Sequence, residues 1–209
     1  MSKINKVLFS TFAAGLALLV GGCKSQMPKP SGFLSDYSRL TEANDSTWQY
    51  VDKAGLADCN KFSVAPVKIV ATEFLGTVFS EDQNRRLADS FRQKIIKAVS
   101  ARYPVVTNSS PTTGEIRVAL TRVYRVGNAL AIGAEAEIIN SESRKQLAAV
   151  TGAKLGPPQM GVNTNPQTVR DPSDPGRYVE DWWNRPAADE LMNRWANNLV
   201  RIIDGAQKK

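Results

Sequence analysis

Residues 115–154 read EIRVALTRVYRVGNALAIGAEAEIINSESRKQLAAVTGAK, and this stretch decides the fold. Ile116, Val118 and Leu120 alternate with other side chains, the period of a strand with one buried face. Arg122 and Val123 then break phase, which predicts a β-bulge within a strand over 115–126. Residues 132–140 and 145–154 follow as a hairpin turning around 141–144. Successive antiparallel strands of this kind need one face covered, and the flanking sequence supplies the cover.

Upstream, residues 67–74 (VKIVATEF) form a β-branched strand entered through Pro66. Ser80 opens a helix: Ser80 and Gln83 have capping-box spacing, and Glu81 and Asp82 suit its positive end. Leu87, Phe91, Ile95, Ala98 and Val99 form its apolar stripe, and Tyr103-Pro104 ends it. Residues 105–107 have room for a short strand. Downstream, Pro186 fits the first turn of a last helix whose Leu191, Trp195, Leu199, Ile202 and Ile203 share a face ending at Gly205. The order of elements predicts an α+β fold, a mostly antiparallel sheet with two long helices packed on one face. A single domain over 31–205, with a tail at 206–209, is long enough to bury a core.

The N-terminus reads as a processing segment. Lys3 and Lys6 precede an almost wholly apolar run over 8–20, and Gly21-Gly22 precede Cys23. The run is short for a bilayer span and has signal-peptide flanks. Leu19-Val20-Gly21-Gly22-Cys23 resembles a bacterial lipobox, with residues 1–22 as signal peptide and Cys23 as the lipid attachment site. The thiol is required because it forms the thioether to diacylglycerol. Two or more acyl chains anchor a protein stably. Lys24 stands where an aspartate would resemble an inner-membrane retention signal, which favours the outer membrane, periplasmic side. Residues 23–30, with two prolines, form the lipidated tether and hold the domain near the bilayer.

Composition narrows the chemistry. The chain of 209 residues has no histidine, which removes the usual general base, the usual zinc ligand and His-paired nucleophiles. Without Lys3 and Lys6 the formal charge falls from +7 to +5, and the basic residues are scattered, so nucleic acid is not an expected partner. With Cys23 acylated, Cys59 has no partner in its own chain, and burial is the favoured reading over intermolecular pairing.

Four groups merit weighing as sites. Glu135 and Glu137 lie on one side of a strand with the look of a catalytic acid pair. Cross-strand pairing on a solvent-facing sheet, with Arg117, Arg122, Arg125 or Lys145 opposite, is the ordinary explanation. Tyr178, Trp182 and Trp183 in RYVEDWWNRP are candidate partner-binding residues that can stack on a glycan or anchor a protein, or else plug a sheet edge. Residues 155–176 carry five prolines and three glycines, a long loop of the kind that is functional or disordered. Asp171, Asp174 and Asp181 match no EF-hand spacing, so no metal and no cofactor is expected.

SGFLSDYSRL at 31–40, then Trp48-Gln49-Tyr50, Ala65-Pro66-Val67 and Trp195-Ala196 with Leu199 and Ile203-Asp204, resembles domain-of-unknown-function family 3313. The likeness spans 31–205. It implies a bacterial envelope lipoprotein without an assigned activity. Phe33, Leu34, Tyr37 and Leu40 have helical-face spacing, which predicts a short helical turn docked on the domain. The expected function is that of a non-catalytic binding or envelope-assembly module with an envelope protein or peptidoglycan as partner. Its expected contact surface is the sheet face left free by the helices, together with the long loop. A carboxylate-based peptidoglycan-directed hydrolase and a carrier of lipid or anionic glycolipid are the alternatives.

Overall fold

The computed structural model describes residues 27–44, 47–70, 81–126, 129–155 and 186–208. In chain order these form β1 (Thr41–Asn44), β2 (Thr47–Val51), α1 (Lys53–Ala57), β3 (Lys61–Val64) and β4 (Lys68–Ile69). Then come α2 (Glu81–Ser100), β5 (Thr113–Val126), β6 (Ala129–Asn140), β7 (Gln146–Leu155) and α3 (Pro186–Gln207). The strands make one seven-stranded sheet in the order β1-β2-β7-β6-β5-β3, with β4 also paired to β5. Pairing is antiparallel except for β3 and β4, which run parallel to β5. The fold is therefore α+β with a mostly antiparallel sheet in a single domain.

The alternation in β5 decides which side of the sheet becomes core. Ile116, Val118 and Leu120 are buried, and they stand opposite Ile138, Ala136 and Ala134 of β6. The register shifts between Leu120 and Arg122, where the phase break predicts a bulge. The extra residue brings Val123 back to the core side, opposite Ile132. A second shift at Ile138/Ile139 leaves Leu147 between two paired residues of β7 and places Gln146 opposite Ile139.

Leu87, Phe91, Ile95 and Val99 of α2 and Leu191, Trp195, Leu199, Ile202 and Ile203 of α3 join one apolar cluster with these strand residues. Burying each large apolar side chain contributes about 1.5–3 kcal/mol. The helical layer meets expectation in part: α3 touches β6 and β7, α2 touches β3 and β4, and the two helices touch each other. Trp195 is fully buried, and its Nε1 donates to the Ile132 carbonyl at 3.2 Å, tying α3 to the middle strand.

Several boundaries differ from the sequence reading. Helix α3 runs two residues past the expected stop at Gly205. Gln207 Nε2 donates to the carbonyls of Leu56 and Cys59, at 3.1 and 2.7 Å, so a tertiary contact holds the last turn. Residues 105–107 contribute only an isolated bridge, Val105 to Phe62. Elements β1, β2, α1 and β3 have no counterpart in the sequence reading. The strand expected over 67–74 is the two-residue β4, and the remainder of that stretch from residue 71, with the Ser80 cap, lies outside the described residues.

Candidate functional site: a strapped sheet face

The odd-numbered side chains of β6 point away from the helices, and two of them are acids. Glu135 and Glu137 are 2% and 1% exposed. The expected cross-strand pairing exists: Arg117, directly opposite Glu137, donates from Nη1 to Oε1 at 2.6 Å. Arg122 stands opposite Gly133 instead, and Lys145 donates to Asp52 at 2.8 Å. The expectation of a solvent-facing sheet here is wrong. Residues 31–40 cross this face as a strap and cover both carboxylates.

The strap docks through donors aimed at the two acids. Ser31 donates to Glu135 from its backbone N–H at 3.1 Å and from Oγ at 2.6 Å. Tyr37 donates its hydroxyl to Glu135 Oε2 at 2.5 Å. Ser35 gives Glu137 Oε2 a backbone bond at 2.8 Å and a hydroxyl bond at 2.5 Å, and Gln146 Nε2 adds a third at 2.9 Å. Carboxylates that only accept are matched in their ionised form, and bonds of this type contribute about 1.5–3 kcal/mol each.

The strap is not the helical turn that its spacing predicts. Its 31–40 backbone holds only bends and turns. Gly32, at φ +84°, takes the left-handed conformation that glycine adopts without a Cβ penalty. The resulting curl aims three successive N–H groups at one atom. Gly32, Phe33 and Leu34 donate to the Tyr37 hydroxyl oxygen at 3.0, 2.9 and 3.1 Å. Burial, and then the bond to Glu135, push the Tyr37 phenol above its ordinary pKa. Leu34 is buried, whereas Phe33 lies 5.3 Å from the Arg117 guanidinium. Docking holds as expected, but oriented hydrogen bonds do more of it than an apolar stripe.

Beyond Tyr37 the strap is fastened a second time. Arg39 donates from Nη2 to Gln146 Oε1 at 3.0 Å and from Nη1 to the Tyr50 hydroxyl at 2.7 Å. Its guanidinium also lies 4.1 Å from the Tyr50 ring centroid. Gln146 Nε2 reaches the Asp36 carbonyl at 3.2 Å. The chain then enters β1 at the sheet edge.

This arrangement changes what the acid pair can do. A glycosidase-type pair needs both carboxyls open to a sugar and to water. Here each is closed off by the chain's own N–H and O–H groups. The same strap corrects the expectation that this sheet face is a free contact surface. A signal for it was present: Ala119, Gly133, Ala149 and Thr151 occupy this face in β5–β7, leaving room for another layer of chain.

Cys59 is fully buried, as favoured, with Sγ 3.8 Å from the Gly55 carbonyl oxygen. Burial, with a smaller contribution from Asp58, pushes its thiol up to about 11. Among the described residues no group of three or more His, Cys, Asp or Glu side chains can hold a metal ion. No described helix is long and apolar enough to cross a membrane. Cys23, Asp171, Asp174, Tyr178, Asp181, Trp182, Trp183 and all but the first residue of the 155–176 loop lie outside the described residues.

No curated protein matches the sequence. Among solved structures, the PelC dodecamer from Paraburkholderia phytofirmans is similar at 13% identity and a TM-score of 0.41, over 73% of this chain and 96% of that one. A hypothetical protein from Chlamydia trachomatis is similar at 11% identity and a TM-score of 0.45, over 71% and 98%. A DUF330 protein from Xanthomonas campestris is similar at 14% identity and a TM-score of 0.42, over 71% and 87%. The family comparison covers the strap, β1 to β5 and the start of β6, since residues 29–132 match the model described as "Protein of unknown function (DUF3313)". Through that segment the chain belongs to domain-of-unknown-function family 3313.

Proposed function

We propose that the chain is an outer-membrane lipoprotein of the periplasmic side that works by binding, as a non-catalytic partner-docking or envelope-assembly module. The observation that supports this reading is the capture of Glu135 and Glu137 by the strap. The acid pair with the look of a hydrolase site is engaged in holding the protein's own N-terminal segment, which disfavours carboxylate catalysis. The carrier reading needs an apolar space. Between sheet and α3, the region lined by Ala136, Ile138, Ala148, Val150, Leu199 and Ile202 is too tight for a water molecule.

In this reading Cys23 carries the lipid, residues 24–30 are the tether, and α2 and α3 form one layer on the sheet face away from the strap. The contact surface is then the outer side of that layer together with residues 156–185, where Tyr178, Trp182 and Trp183 supply aromatic anchors for a protein or peptidoglycan partner. No cofactor enters this function.

Site-specific photo-crosslinking in intact cells tests it, with the crosslinker placed at Gln93, Asn197 and Tyr178. Reproducible adducts to one envelope protein or to peptidoglycan from at least one of these positions are expected. Adducts to none of them, with the protein present at its normal level, would refute the binding module.

A further inference from the structure

We infer that the strapped face of the sheet is the membrane-facing side of the domain, held against the phosphate headgroups of the bilayer that carries the anchor, with α3 on the far side. The inference rests on the lipid-anchor reading of Cys23 and adds an orientation to it.

Chain length fixes the orientation. Ser31 is pinned to Glu135 by two hydrogen bonds, so the segment that leads to Cys23 departs from the strapped face. Seven residues, 24–30, separate that point from Cys23. Fully extended they reach about 25 Å. A domain of about 160 residues has a radius of gyration of about 15 Å, so its diameter is about 40 Å and half its circumference about 60 Å. A leash of 25 Å cannot pass around a 60 Å half-circumference to let α3 lie on the membrane.

The two sides are defined by side chains already described. Alternate residues of β6 divide between them: Ala136 and Ile138 face Leu199 and Ile202 of α3, whereas Glu135 and Glu137 face the strap. Ser38 is an exposed residue of the strap, and Asn197 is exposed on α3 two residues from fully buried Trp195. These two positions therefore report opposite sides of the molecule. Lys29, exposed at the end of the tether, and Arg39 and Arg117, partly exposed on the strapped side, supply cations for headgroup phosphates. The opposing charge of Asp36 on the same side keeps the attraction modest, so tether length is the main constraint.

The experiment uses the full lipidated chain in vesicles of phosphatidylethanolamine and phosphatidylglycerol that carry a headgroup nitroxide quencher. Single labels are attached to Ser38→Cys or Asn197→Cys. Cys59 stays unlabelled because its thiol is buried and protonated. The Ser38 label is expected to be quenched several-fold more than the Asn197 label. Inserting about 20 Gly/Ser residues after Ser25 extends the reach to about 90 Å and is expected to erase the difference without touching the domain. Equal quenching in the parent chain, or a difference that survives the insertion, overturns the inference. The lipid reading is checked separately with Cys23→Ser. With the variant produced from residue 23 onward, so that the apolar run over 8–20 cannot hold it, co-sedimentation with membranes refutes the anchor itself, whereas a released variant combined with equal quenching refutes only the orientation.

Discussion

The Tyr37 hydroxyl and Glu135 Oε2 lie 2.5 Å apart although 98 positions separate the two residues in the chain. That single oxygen also collects three backbone N–H groups, so it organises the strap's curl and fastens it to β6 at once. Tyr37→Phe keeps the ring and removes the atom that does both. The expected loss is about 1.5–3 kcal/mol in urea unfolding, the range for a hydrogen bond to a charged group. An unchanged midpoint would show that the strap contributes nothing to the fold.

Glu137 is the more demanding of the two acids because a cation shares its site. Glu137→Ala leaves Arg117 and Ser35 without their acceptor and Gln146 Nε2 with only the Asp36 carbonyl, and is expected to destabilise by about 3–5 kcal/mol, as when one partner of a buried pair is deleted. A double-mutant cycle with Arg117→Ala measures how much of this belongs to the pair itself. Additive single effects would mean that Arg117 and Glu137 do not couple.

Alkaline pH should loosen the protein through two tyrosines. Tyr37 and Tyr103 both have raised pKa values in the folded state, by burial first and then by the neighbouring carboxylates of Glu135 and Asp204. Each folded phenol holds its proton to higher pH than the unfolded one, so between the two pKa values the native state binds more protons. Stability therefore falls as pH rises. The full contribution is present below the ordinary value of 10.0, and for Tyr103 it declines from there to about 12. Unfolding midpoints measured across this window should fall in the parent chain and stay flatter in Tyr37→Phe/Tyr103→Phe.

Cys59 should be silent toward thiol reagents. A fully buried thiol raised to about 11 has little thiolate at neutral pH. Labelling with a maleimide is expected only after denaturation, and a non-reducing gel should show no disulfide-linked dimer. Rapid labelling of the native protein would contradict the burial.

The parts of the fold that were legible are those where period and partner sit close together in the chain. The Ile116, Val118, Leu120 alternation, its bulge at Arg122 and the Leu191-to-Ile203 stripe all report contacts made by long, regular elements. The elements within 41–64 were not legible, since four- and five-residue strands carry too little periodicity to stand out. The strap misled for a different reason. Phe33, Leu34, Tyr37 and Leu40 mimic a helical face, yet the local conformation is decided by Gly32 and by acids about a hundred residues away. Alternating Ala and Glu in β6 likewise reads as one buried and one wet face. The small residues Ala119, Gly133 and Ala149 leave room for a second layer on that face, but only once the strand register brings them together, and no pattern within one strand shows that the layer comes from the N-terminus.

That separation has a consequence for the order of events in folding. The strap's donors, Ser31, Ser35 and Tyr37, emerge from synthesis 104, 102 and 98 positions ahead of the acceptors they need. Until β6 exists, those hydroxyls lack the carboxylates to which they donate. Contacts of such long sequence separation form late, because chain closure must be completed first. The strap is then a clasp that shuts late, along with the β2–β7 pairing, whose partners from Thr47↔Gly152 to Val51↔Ala148 stand 105 to 97 positions apart.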